Sequence, residues 1–445
     1  MKPITLKEVA QSCCGTLFGD ENLTVTSIVT DSRKAGEGSL FAAIKGARAD
    51  GHDFIEQVRA QGAACVLCER KPDADIPYIL TDSTAVALKG IARYYRSLFT
   101  IPFIGITGSV GKTSTKELIY SVLKEKFNTH KTQGNFNNEL GVPLTLFGLE
   151  EEHEAAVIEM GISGFGEMTR LSEMVCPDIA VITNIGCCHL ENLKDRDGVC
   201  KAKTEMFKYL KPDGHIVLCG DDDKLAAVKE YNGIKPIFYG MDSGREYYAE
   251  EIEDNVLSGS DCTLCHGDTK IRVHIPAPGR HMVENALAAF AVGELLGLSP
   301  NEIKRGIESF KNVGSRSNII DNGSYVVIDD CYNANPTSVK AGLDTLASVK
   351  GRTVAVLGDM KELGENELAM HREVGRYAKE KGIGLLIAAG PLAESLAQGY
   401  GDGAVYFETV ELACKNIKAL ILPGDTVLVK ASHSMHFEKI VEALQ

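Results

Sequence analysis

The hydrophobic positions fall into short continuous runs separated by amphipathic stretches, and this alternation continues along most of the chain. Residues 155–158 and 179–183 are almost entirely apolar, which is typical of strands buried on both faces of a parallel sheet. The stretches between such runs have helical spacing, as where Val339, Leu343 and Leu346 recur at positions i, i+4 and i+7. Strands and helices that alternate in this way predict an α/β fold built on parallel sheets.

The chain is predicted to contain three domains, since its 445 residues allow roughly three units of ~150 residues each. Residues 1–84 mix short strands with helices near 5–13 and 53–62, which indicates a small N-terminal α/β domain. Residues 85–313 contain further apolar runs and are predicted to form a central parallel-sheet domain. Residues 314–445 alternate strand and helix again, which predicts a C-terminal Rossmann-like domain with its own doubly wound sheet.

One stretch of the central domain combines an apolar strand, a glycine-containing loop and the start of a helix. The loop contains Gly108 and Gly111, and the helix begins at Lys112. Glycines let backbone N–H groups approach phosphate oxygens, and a helix N-terminus adds a partial positive charge. Lys112 is predicted to contact the β- and γ-phosphates of a nucleotide, and Thr113 to bind Mg²⁺. The general P-loop pattern has glycine where this chain has Ile106, but the order of elements still predicts a P-loop, ATPase-like domain. The predicted nucleotide contacts are Gly108, Ser109, Gly111, Lys112, Thr113 and Ser114.

Polar residues follow the buried strands of the central domain, at the edge where parallel sheets bind their ligands. Glu159 ends one strand and is either an ordinary strand-end acid or the carboxylate that a nucleotide-bound Mg²⁺ requires. His189 follows another strand, together with Asn184, and is either a helix cap or a metal ligand. Lys201 and Lys203 lie two apart on the next helix and point to different sides, so the residues alone favour two solvated charges.

A polar cluster in the N-terminal domain is a candidate anion site. Ser32, Arg33 and Lys45 could hold an anionic ligand through a hydroxyl group and charge-assisted hydrogen bonds. The alternative is purely local structure, in which residues 50–51 form a turn and Asp53 caps the following helix. The residues themselves leave both interpretations open.

Side-chain amides are concentrated in the loop of residues 133–138, between the glycine loop and Glu159. Such loops are usually turn structure, but the position of this one favours contact with a substrate. Asn285 lies about one turn into a predicted helix, where its amide could bind the edge of an adenine. The C-terminal domain adds a helix N-cap at Asn335 and further polar residues at the end of a strand, Asp330, Tyr332 and Asn333.

Composition and charge argue against several classes of protein. A formal net charge of −14 makes nucleic acid an unexpected partner. No apolar run approaches the ~18 residues of a membrane span, and the N-terminus, with Glu8 and no apolar core, does not resemble a signal peptide. Thirteen cysteines without a secretory signal are typical of reduced thiols, so we expect a cytoplasmic protein without membrane insertion, acting as a monomer.

Motifs from every part of the chain resemble those of the Mur ligase family and occur in the family's order. The resemblance covers nearly the whole chain. The motifs are Thr107-Gly-Ser-Val-Gly-Lys-Thr-Ser-Thr115, Gln133-Gly-Asn-Phe-Asn-Asn138, Val157-Ile-Glu-Met-Gly161, Thr183-Asn-Ile-Gly186 with His189, Ala202-Lys-Thr-Glu-Met-Phe207, Gly279-Arg-His-Met282, Asn285-Ala-Leu287, Ser315-Arg316, Asp329-Asp-Cys-Tyr-Asn-Ala-Asn-Pro336, Leu357-Gly-Asp-Met360 and Leu428-Val-Lys-Ala-Ser432.

This resemblance implies a specific chemistry at the glycine loop. It implies that Lys203 is carbamylated, which turns a cation into an anion that can help hold Mg²⁺. Thr113 and Glu159 would then hold the first of two Mg²⁺ ions, while Glu159, His189 and carbamylated Lys203 serve the second. A lysine with an ordinary pKa of ~10.4 is neutral at pH 7 in less than about one molecule in a thousand, so the metal ions are needed to trap the carbamate. Lys112, Glu159, His189 and Lys203 are therefore implied as catalytic residues.

The resemblance also implies where ATP and the other substrates bind. It places ATP on Asn285, Arg316 and Asp330, and the uridine end of the substrate on the N-terminal domain. Closure of the C-terminal domain is expected to bring that domain onto the ATP. The implied substrate contacts are Ser32, Arg33, Gly46, His52, Asn135, Asn138, Tyr332, Asn333 and Asn335.

The reaction that the family implies is the ATP-dependent formation of a carbon–nitrogen bond. A carboxylate of a UDP-sugar peptide attacks the γ-phosphate of ATP, an acyl phosphate forms, and an amine then displaces phosphate. Residues 329–336 favour the member that adds D-alanyl-D-alanine to UDP-N-acetylmuramoyl-tripeptide in peptidoglycan synthesis, and so contributes to cell-wall biogenesis, cell shape, the cell cycle and cell division. The alternatives are a family member that adds a single amino acid and a folylpolyglutamate synthetase-like ligase.

Two points of specificity are left open by the sequence. The last strand loop reads Ala431, Ser432 and His433 where the family often has Gly-Ser-Arg, so a neutral histidine stands in place of a cation. No residue distinguishes lysine from diaminopimelate as the third amino acid of the peptide substrate.

Overall fold

The computed structural model describes residues 1–47, 49–255 and 257–445. Within those ranges each predicted domain contains one main sheet flanked by helices, which confirms the α/β fold class and the three-domain architecture. A separate two-stranded pair joins β1 (Ile4–Thr5) to β3 (Thr24–Val25). No helix among these described residues is long and apolar enough to cross a lipid bilayer.

The N-terminal domain is a small α/β unit. Its remaining elements are α1 (Leu6–Ser12), β2 (Thr16–Phe18), β4 (Ser27–Val29), β5 (Ser39–Ala42), α2 (Ile55–Ala60), β6 (Cys65–Cys68), β7 (Tyr78–Leu80) and α3 (Thr84–Ser97). The five strands lie in the order β2-β7-β6-β5-β4, and all neighbours are parallel except β2 with β7. Thr5 and Glu8 form a capping box at the start of α1, which satisfies backbone N–H groups there.

The central domain begins with a strand and helix that enclose the glycine loop. Its elements are β8 (Phe103–Thr107), α4 (Lys112–Leu123), β9 (Thr129–Lys131), α5 (Gly141–Phe147), β10 (Ala155–Glu159), α6 (Glu167–Val175), β11 (Ile179–Ile182), α7 (Leu190–Leu193), α8 (Arg196–Thr204), β12 (His215–Cys219), α9 (Asp223–Ala226), β13 (Ile237–Gly240), β14 (Tyr247–Asn255), β15 (Gly259–His266), β16 (Thr269–Ile275), α10 (Arg280–Leu295) and α11 (Pro300–Glu308).

Nine strands of the central domain form one sheet in the order β16-β15-β14-β13-β12-β11-β8-β10-β9. The seven strands from β14 to β9 in the sheet are all parallel to one another. At one edge, β15 pairs antiparallel with β14, and β16 pairs antiparallel with β15. Strand β8 lies between β10 and β11, so the carboxyl ends of all three strands meet around the glycine loop.

The C-terminal domain has a second parallel sheet. Its elements are β17 (Asn318–Asp321), β18 (Val326–Asp329), α12 (Pro336–Ala347), β19 (Thr353–Gly358), α13 (Glu367–Glu380), β20 (Leu385–Ala389), α14 (Glu394–Tyr400), β21 (Ala404–Phe407), α15 (Val410–Asn416), β22 (Thr426–Lys430) and α16 (Glu438–Leu444). The strand order is β17-β18-β22-β19-β20-β21, and only β17 runs antiparallel to its neighbour.

The structure differs from the sequence prediction in several local features. Strands β13 to β16 were not predicted. Of these, β14 and β16 mix polar and apolar positions and lack the continuous apolar runs of a central strand. The last helix of the C-terminal domain, α16, begins only at Glu438 and is preceded by a short 3₁₀ turn, His433–Met435. The predicted domain boundaries at residues 84/85 and 313/314 stay predictions, with Thr84 opening α3 and β17 starting at Asn318.

Helix α3 packs the N-terminal domain onto the central domain. Leu88, Ile91, Ala92 and Tyr95 of this helix are fully buried, and they belong to one hydrophobic core that extends into the central sheet. The hydroxyl group of Tyr95 donates a 2.7 Å hydrogen bond to the carbonyl oxygen of Leu149, so the polar end of this buried side chain is satisfied.

Two glycines let α10 and α11 lie close to α4, the helix that follows the glycine loop. A Cβ on Gly306 would lie 2.4 Å from the Cα of Val122, and a Cβ on Gly293 would lie 2.9 Å from a methyl carbon of the same valine. The position of α4 therefore depends on the absence of side chains at these sites.

We predict that Gly306→Ala lowers the stability of the protein. The new methyl group would contact backbone atoms that cannot rotate away, at a cost of about 1–3 kcal/mol. The matched control is Gly36→Ala, because a Cβ at Gly36 meets no atom within 4 Å and the residue needs no positive φ. Thermal unfolding should show a lower midpoint for Gly306→Ala alone, and equal midpoints for the two variants would contradict the close-packing account.

Candidate active site

The glycine loop joins β8 to α4 at the carboxyl ends of the parallel strands. Gly108 has a φ of +154°, and Gly111, the N-cap of α4, has a φ of +82°, angles that favour glycine. A Cβ on Gly108 would lie 1.8 Å from the hydroxyl oxygen of Thr183, so a larger residue does not fit there. Ser114 lies half-buried in the first turn of α4. The loop thus presents the start of a helix to any phosphate above it.

The segment that follows β11 holds the glycine loop in shape. The Oδ1 atom of Asn184 accepts a 2.9 Å hydrogen bond from the backbone N–H of Val110, and its Nδ2 atom donates one of 3.0 Å to the carbonyl oxygen of Val110. Ser109 Oγ accepts a 2.8 Å hydrogen bond from the N–H of Gly186. The Ser109 side chain is therefore committed to shaping the loop.

Two lysine side chains converge on one carbonyl oxygen of the loop. The Nζ atom of Lys112 donates a 2.8 Å hydrogen bond to the carbonyl oxygen of Gly108, and the Nζ atom of Lys203 donates one of 3.0 Å to the same atom. Lys203 is 1% exposed, and burial, the largest cause, lowers its pKa to about 8. Considered without the family resemblance, both lysines were expected to be solvated charges. That expectation is wrong for Lys203, because α8 packs the helix face that carries Lys203 onto the glycine loop. It is confirmed for Lys201, which is exposed.

Glu159 ends β10 beside the glycine loop and is only 1% exposed. Its Oε2 atom accepts a 2.9 Å hydrogen bond from the hydroxyl group of Thr113 and lies 3.7 Å from Nζ of Lys116. Its Oε1 atom accepts a 2.7 Å hydrogen bond from Nδ2 of Asn137. Three groups from the loop helix and the amide loop therefore satisfy this buried carboxylate, which an ordinary strand-end acid in contact with water would not need.

His189 is the N-cap residue of α7, with a φ of +52° and no side-chain capping hydrogen bond. Its Nδ1 atom lies 2.6 Å from an oxygen of Glu362 in the C-terminal domain, but the contact lacks hydrogen-bond geometry and leaves this buried nitrogen without a partner. Burial, outweighing the nearby Glu362 carboxylate, lowers the pKa of His189. His189 thus stands at the start of a helix without capping it through its side chain, and its role as a metal ligand stays a prediction.

The residues around the loop suit Mg²⁺ to different degrees. The hydroxyl group of Thr113 and the carboxylate of Glu159 supply the oxygen ligands that Mg²⁺ prefers, so a first ion fits there directly. Across the described ranges no three His, Cys, Asp or Glu side chains group to hold an ion. At the second position that the family resemblance implies, an ammonium group on Lys203 would repel a cation, whereas a carbamate would attract one.

A cavity of about 560 Å³ opens on the N-terminal domain. Its lining includes Ser32, Arg33 and Gly46, three of the four residues expected to contact the uridine end, and Leu140 from the central domain. His52, the fourth, is not among the lining residues. Its two ring nitrogens are occupied by Asp50 Oδ1 at 2.6 Å and the backbone N–H of Glu69 at 2.9 Å, and Asp50 rather than Asp53 caps the local turn.

The predicted polar residues of the C-terminal domain form a stack and an ion pair. The guanidinium group of Arg316 lies 3.7 Å above the ring of Tyr332, whose ring centre is 5.4 Å from that of His433. The carboxylate of Asp330 pairs with Nζ of Lys430 at 2.6 Å. Asn333 accepts a 3.0 Å hydrogen bond from Lys430 Nζ through its carbonyl oxygen. This domain therefore presents a charged and aromatic surface.

Three predicted asparagines have their side-chain oxygens engaged in local structure. Asn285 Oδ1 accepts a 2.9 Å hydrogen bond from the hydroxyl group of Thr115 on α4. Asn138 Oδ1 accepts one of 2.8 Å from the N–H of Gly141, and Asn335 Oδ1 accepts one of 2.8 Å from the N–H of Ser338 as the N-cap of α12. Asn135, in the same loop as Asn138, is exposed.

Sequence reasoning gave no individual role to four residues that the structure brings to the site, although it named Asn184 among the polar residues that follow the strands. Lys116 and Asn137 contact Glu159, Asn184 holds the glycine loop, and Glu362 reaches His189 from another domain. Asn137 and Asn184 lie within motifs that the sequence singled out, so a signal existed for them. Glu362 had none, because its contact depends on how two domains meet.

Three α/β domains with a glycine loop between a strand and a helix, and a buried carboxylate beside that loop, define a three-domain P-loop protein. Three family models match the chain in this order: the Mur ligase family, catalytic domain, at residues 24–96; the Mur ligase middle domain at 106–293; and the Mur ligase, glutamate ligase domain, at 315–433. The chain belongs to the Mur ligase family.

The similarity to individual relatives extends over the full length. UDP-N-acetylmuramoyl-tripeptide–D-alanyl-D-alanine ligase of Bacillus subtilis (strain 168) is 36% identical, over 99% of this chain and 98% of the relative. A crystal structure of MurF from Acinetobacter baumannii has a TM-score of 0.95 at 34% identity and covers 100% of this chain and 99% of its own. The crystal structure of MurF from Thermotoga maritima in complex with ADP has a TM-score of 0.85 at 29% identity. It covers 94% of this chain and 96% of its own.

We predict that Asn184→Ala weakens ATP binding about ten-fold, because it removes two hydrogen bonds that shape the loop, each worth about 0.5–1.5 kcal/mol. Asn416→Ala is the matched control, since it also removes an asparagine–backbone hydrogen bond, but on the exposed helix α15. Calorimetric titration with ATP would measure both variants. Equal affinities for Asn184→Ala, the control and the wild type would show that the loop keeps its shape without this amide.

Proposed function

We propose that this protein is an ATP-dependent ligase that adds D-alanyl-D-alanine to UDP-N-acetylmuramoyl-tripeptide in peptidoglycan precursor synthesis. The observation that carries the proposal is its full-length similarity to relatives named for this reaction. The site supports the reaction type, because a glycine loop at a helix N-terminus lies beside the buried carboxylate of Glu159, and a separate cavity on the N-terminal domain offers space for a second substrate. The full-length match favours this step over the addition of a single amino acid.

In the proposed mechanism, the glycine loop and the N-terminus of α4 bind the phosphates of ATP. Lys112, which now contacts the carbonyl oxygens of its own loop, would turn to the β- and γ-phosphates. Asn285, Arg316 and Asp330 would hold the rest of the nucleotide, and the ADP complex of the Thermotoga maritima relative supports nucleotide binding. The charged side chains around the loop would then neutralise charge that develops on the transferred phosphoryl group.

Two Mg²⁺ ions are part of this proposal. When bound, they would neutralise phosphate charge and help to position the reacting groups. Thr113 and Glu159 would hold the first ion, and Glu159, His189 and a carbamate on Lys203 would serve the second. With a pKa of about 8, Lys203 is neutral at pH 7 in roughly one molecule in ten, far more often than an exposed lysine, which supports its reaction with CO₂.

The chain's own residues would bring the two substrates together. Ser32, Arg33 and Gly46 of the cavity would hold the uridine diphosphate end, and the amide loop with Asn135 and Asn138 would contact the peptide. The terminal carboxylate of the tripeptide would attack the γ-phosphate of ATP, which gives an acyl phosphate and releases ADP. The amine of the dipeptide would then attack that carbonyl group and release phosphate.

The C-terminal domain would supply the acceptor side of the site. Tyr332, Asn333 and Asn335 would contact the acceptor, and Arg316 would contact ATP from the same domain. Because both ATP and UDP-sugar substrates are cytoplasmic metabolites, we propose a cytoplasmic enzyme, and we propose that it acts as a monomer.

The direct test of the function is phosphate release from ATP with Mg²⁺ and UDP-N-acetylmuramoyl-tripeptide. We expect release that depends on D-alanyl-D-alanine, with a product heavier by that dipeptide on mass spectrometry. Substrates carrying lysine or diaminopimelate as the third residue should be compared. If phosphate release depends on a single amino acid instead, the protein catalyses another ligation step of the Mur ligase family. ATP binding without phosphate release for any acceptor would contradict the ligase proposal.

We predict that Lys203→Ala abolishes turnover, because the variant cannot form the carbamate. Short carboxylates added to the assay should restore part of the activity by occupying the space of the lost group. Lys201→Ala is the control, since Lys201 lies two residues away on the same helix but is exposed. Normal turnover in Lys203→Ala would contradict the carbamate proposal.

A further inference from the structure

A loop of residues 133–140 connects the N-terminal cavity to the buried carboxylate at the glycine loop. At one end, Leu140 lines the cavity together with Arg33 and Gly46. Three residues earlier, Asn137 donates its 2.7 Å hydrogen bond to Glu159. A single short segment therefore contacts both the proposed uridine site and the proposed metal site.

The end of this loop nearest the carboxylate is tied to β10 through its backbone. The carbonyl oxygen of Asn137 accepts a 2.8 Å hydrogen bond from the N–H of Gly161, just beyond the end of β10. A Cβ on Gly161 would lie 3.0 Å from Asn137 Cγ, so the amide side chain packs directly against the strand end. Asn137 thus has little freedom as long as the backbone beside it stays in place.

Between these two contacts, Glu139 is held by cations from two different helices. Its Oε1 atom accepts hydrogen bonds from Nζ of Lys89 on α3 at 2.6 Å and from Nε of Arg170 on α6 at 2.5 Å. Its Oε2 atom accepts a further one from Nη2 of Arg170 at 3.1 Å. These side chains are partly shielded, with exposures of 21% for Lys89, 29% for Glu139 and 45% for Arg170.

The charges suit a structural clamp better than a ligand site. One carboxylate faces two cations, and the bidentate arrangement with Arg170 fixes direction as well as distance. The Arg170 guanidinium, followed by Lys89, keeps the pKa of the Glu139 carboxyl below its ordinary value, so the carboxylate stays ionised at neutral pH. Ion pairs at a protein surface contribute little singly, but a network with bidentate geometry contributes more.

We propose that Glu139 is a positioning residue for the UDP-sugar substrate: clamped by Lys89 and Arg170, it fixes the loop that aligns the uridine cavity with Glu159. The inference rests on the proposed function, since it assumes that one substrate spans the distance from cavity to carboxylate. Releasing the clamp would let Leu140 and Asn137 move, and the substrate's two ends would no longer be held together. The ATP loop, which Asn184 holds from the other side, would keep its shape.

The chain offers a matched control for this clamp. Arg93 on α3 and Glu173 on α6 form a 2.6 Å ion pair between the same two helices without touching the loop. Glu173→Gln therefore weakens the contact between the helices and leaves the loop alone. Glu139→Gln removes the charge of the clamp with almost no change in side-chain shape.

The kinetic experiment compares these two variants with the wild type in the dipeptide-dependent phosphate-release assay. For Glu139→Gln we expect KM for UDP-N-acetylmuramoyl-tripeptide to rise about five- to ten-fold with a fall in kcat, while KM for ATP stays within about two-fold. Arg170→Gln should reproduce the effect, and the double variant should add little to it because both act on one network. Glu173→Gln should behave as the wild type.

Hydrogen exchange supplies a readout that does not depend on turnover. Peptides covering residues 133–141 should exchange faster in Glu139→Gln than in the wild type or in Glu173→Gln, whereas peptides from the glycine loop should not change. Unchanged exchange in the loop would overturn the inference, and so would faster exchange without a selective rise in KM for the UDP-sugar substrate. If the wild type releases no phosphate with any acceptor, the proposed function fails, and the exchange comparison alone decides whether the clamp holds the loop.

Discussion

The buried carboxylate of Glu159 is the interaction on which the arrangement of the site depends. A carboxylate that is 1% exposed must be compensated by donors or cations, and here the donors come from separate parts of the chain. Thr113 belongs to the helix after the glycine loop, Asn137 to the amide loop, and Lys116 to the buried face of α4. Satisfying one charge therefore fixes the positions of α4 and of the amide loop relative to β10.

The same edge of the sheet collects the remaining groups because strand order places β8 between β10 and β11. Glu159 follows β10, Asn184 follows β11, and the glycine loop follows β8, so three distant stretches of sequence become neighbours. Lys203 on α8 lies at the same edge. Its burial against Gly108 lowers its pKa, which distinguishes it from a surface lysine. Contacts such as His189 with Glu362 extend this edge to the C-terminal domain.

Sequence patterns predicted those features that depend on local chemistry. Continuous apolar runs located strands such as β8, β10 and β11, and glycines followed by a lysine located the phosphate loop. Both signals come from residues that are neighbours in the sequence. What sequence reasoning missed depends on packing between distant segments. The capture of both His52 ring nitrogens by Asp50 and Glu69, and the burial of Lys203 but not Lys201, follow from which faces of helices and turns are covered.

The measurement that tests the account most directly follows the oxygen atoms of the tripeptide's terminal carboxylate. If that carboxylate attacks ATP beside Glu159, label placed in it as ¹⁸O must pass to the phosphate when the acyl phosphate is cleaved. Turnover with ATP and D-alanyl-D-alanine should therefore give phosphate that carries one labelled oxygen for each peptide bond formed. Peptide-bond formation with unlabelled phosphate would contradict the account, because ATP would then have been cleaved by another nucleophile.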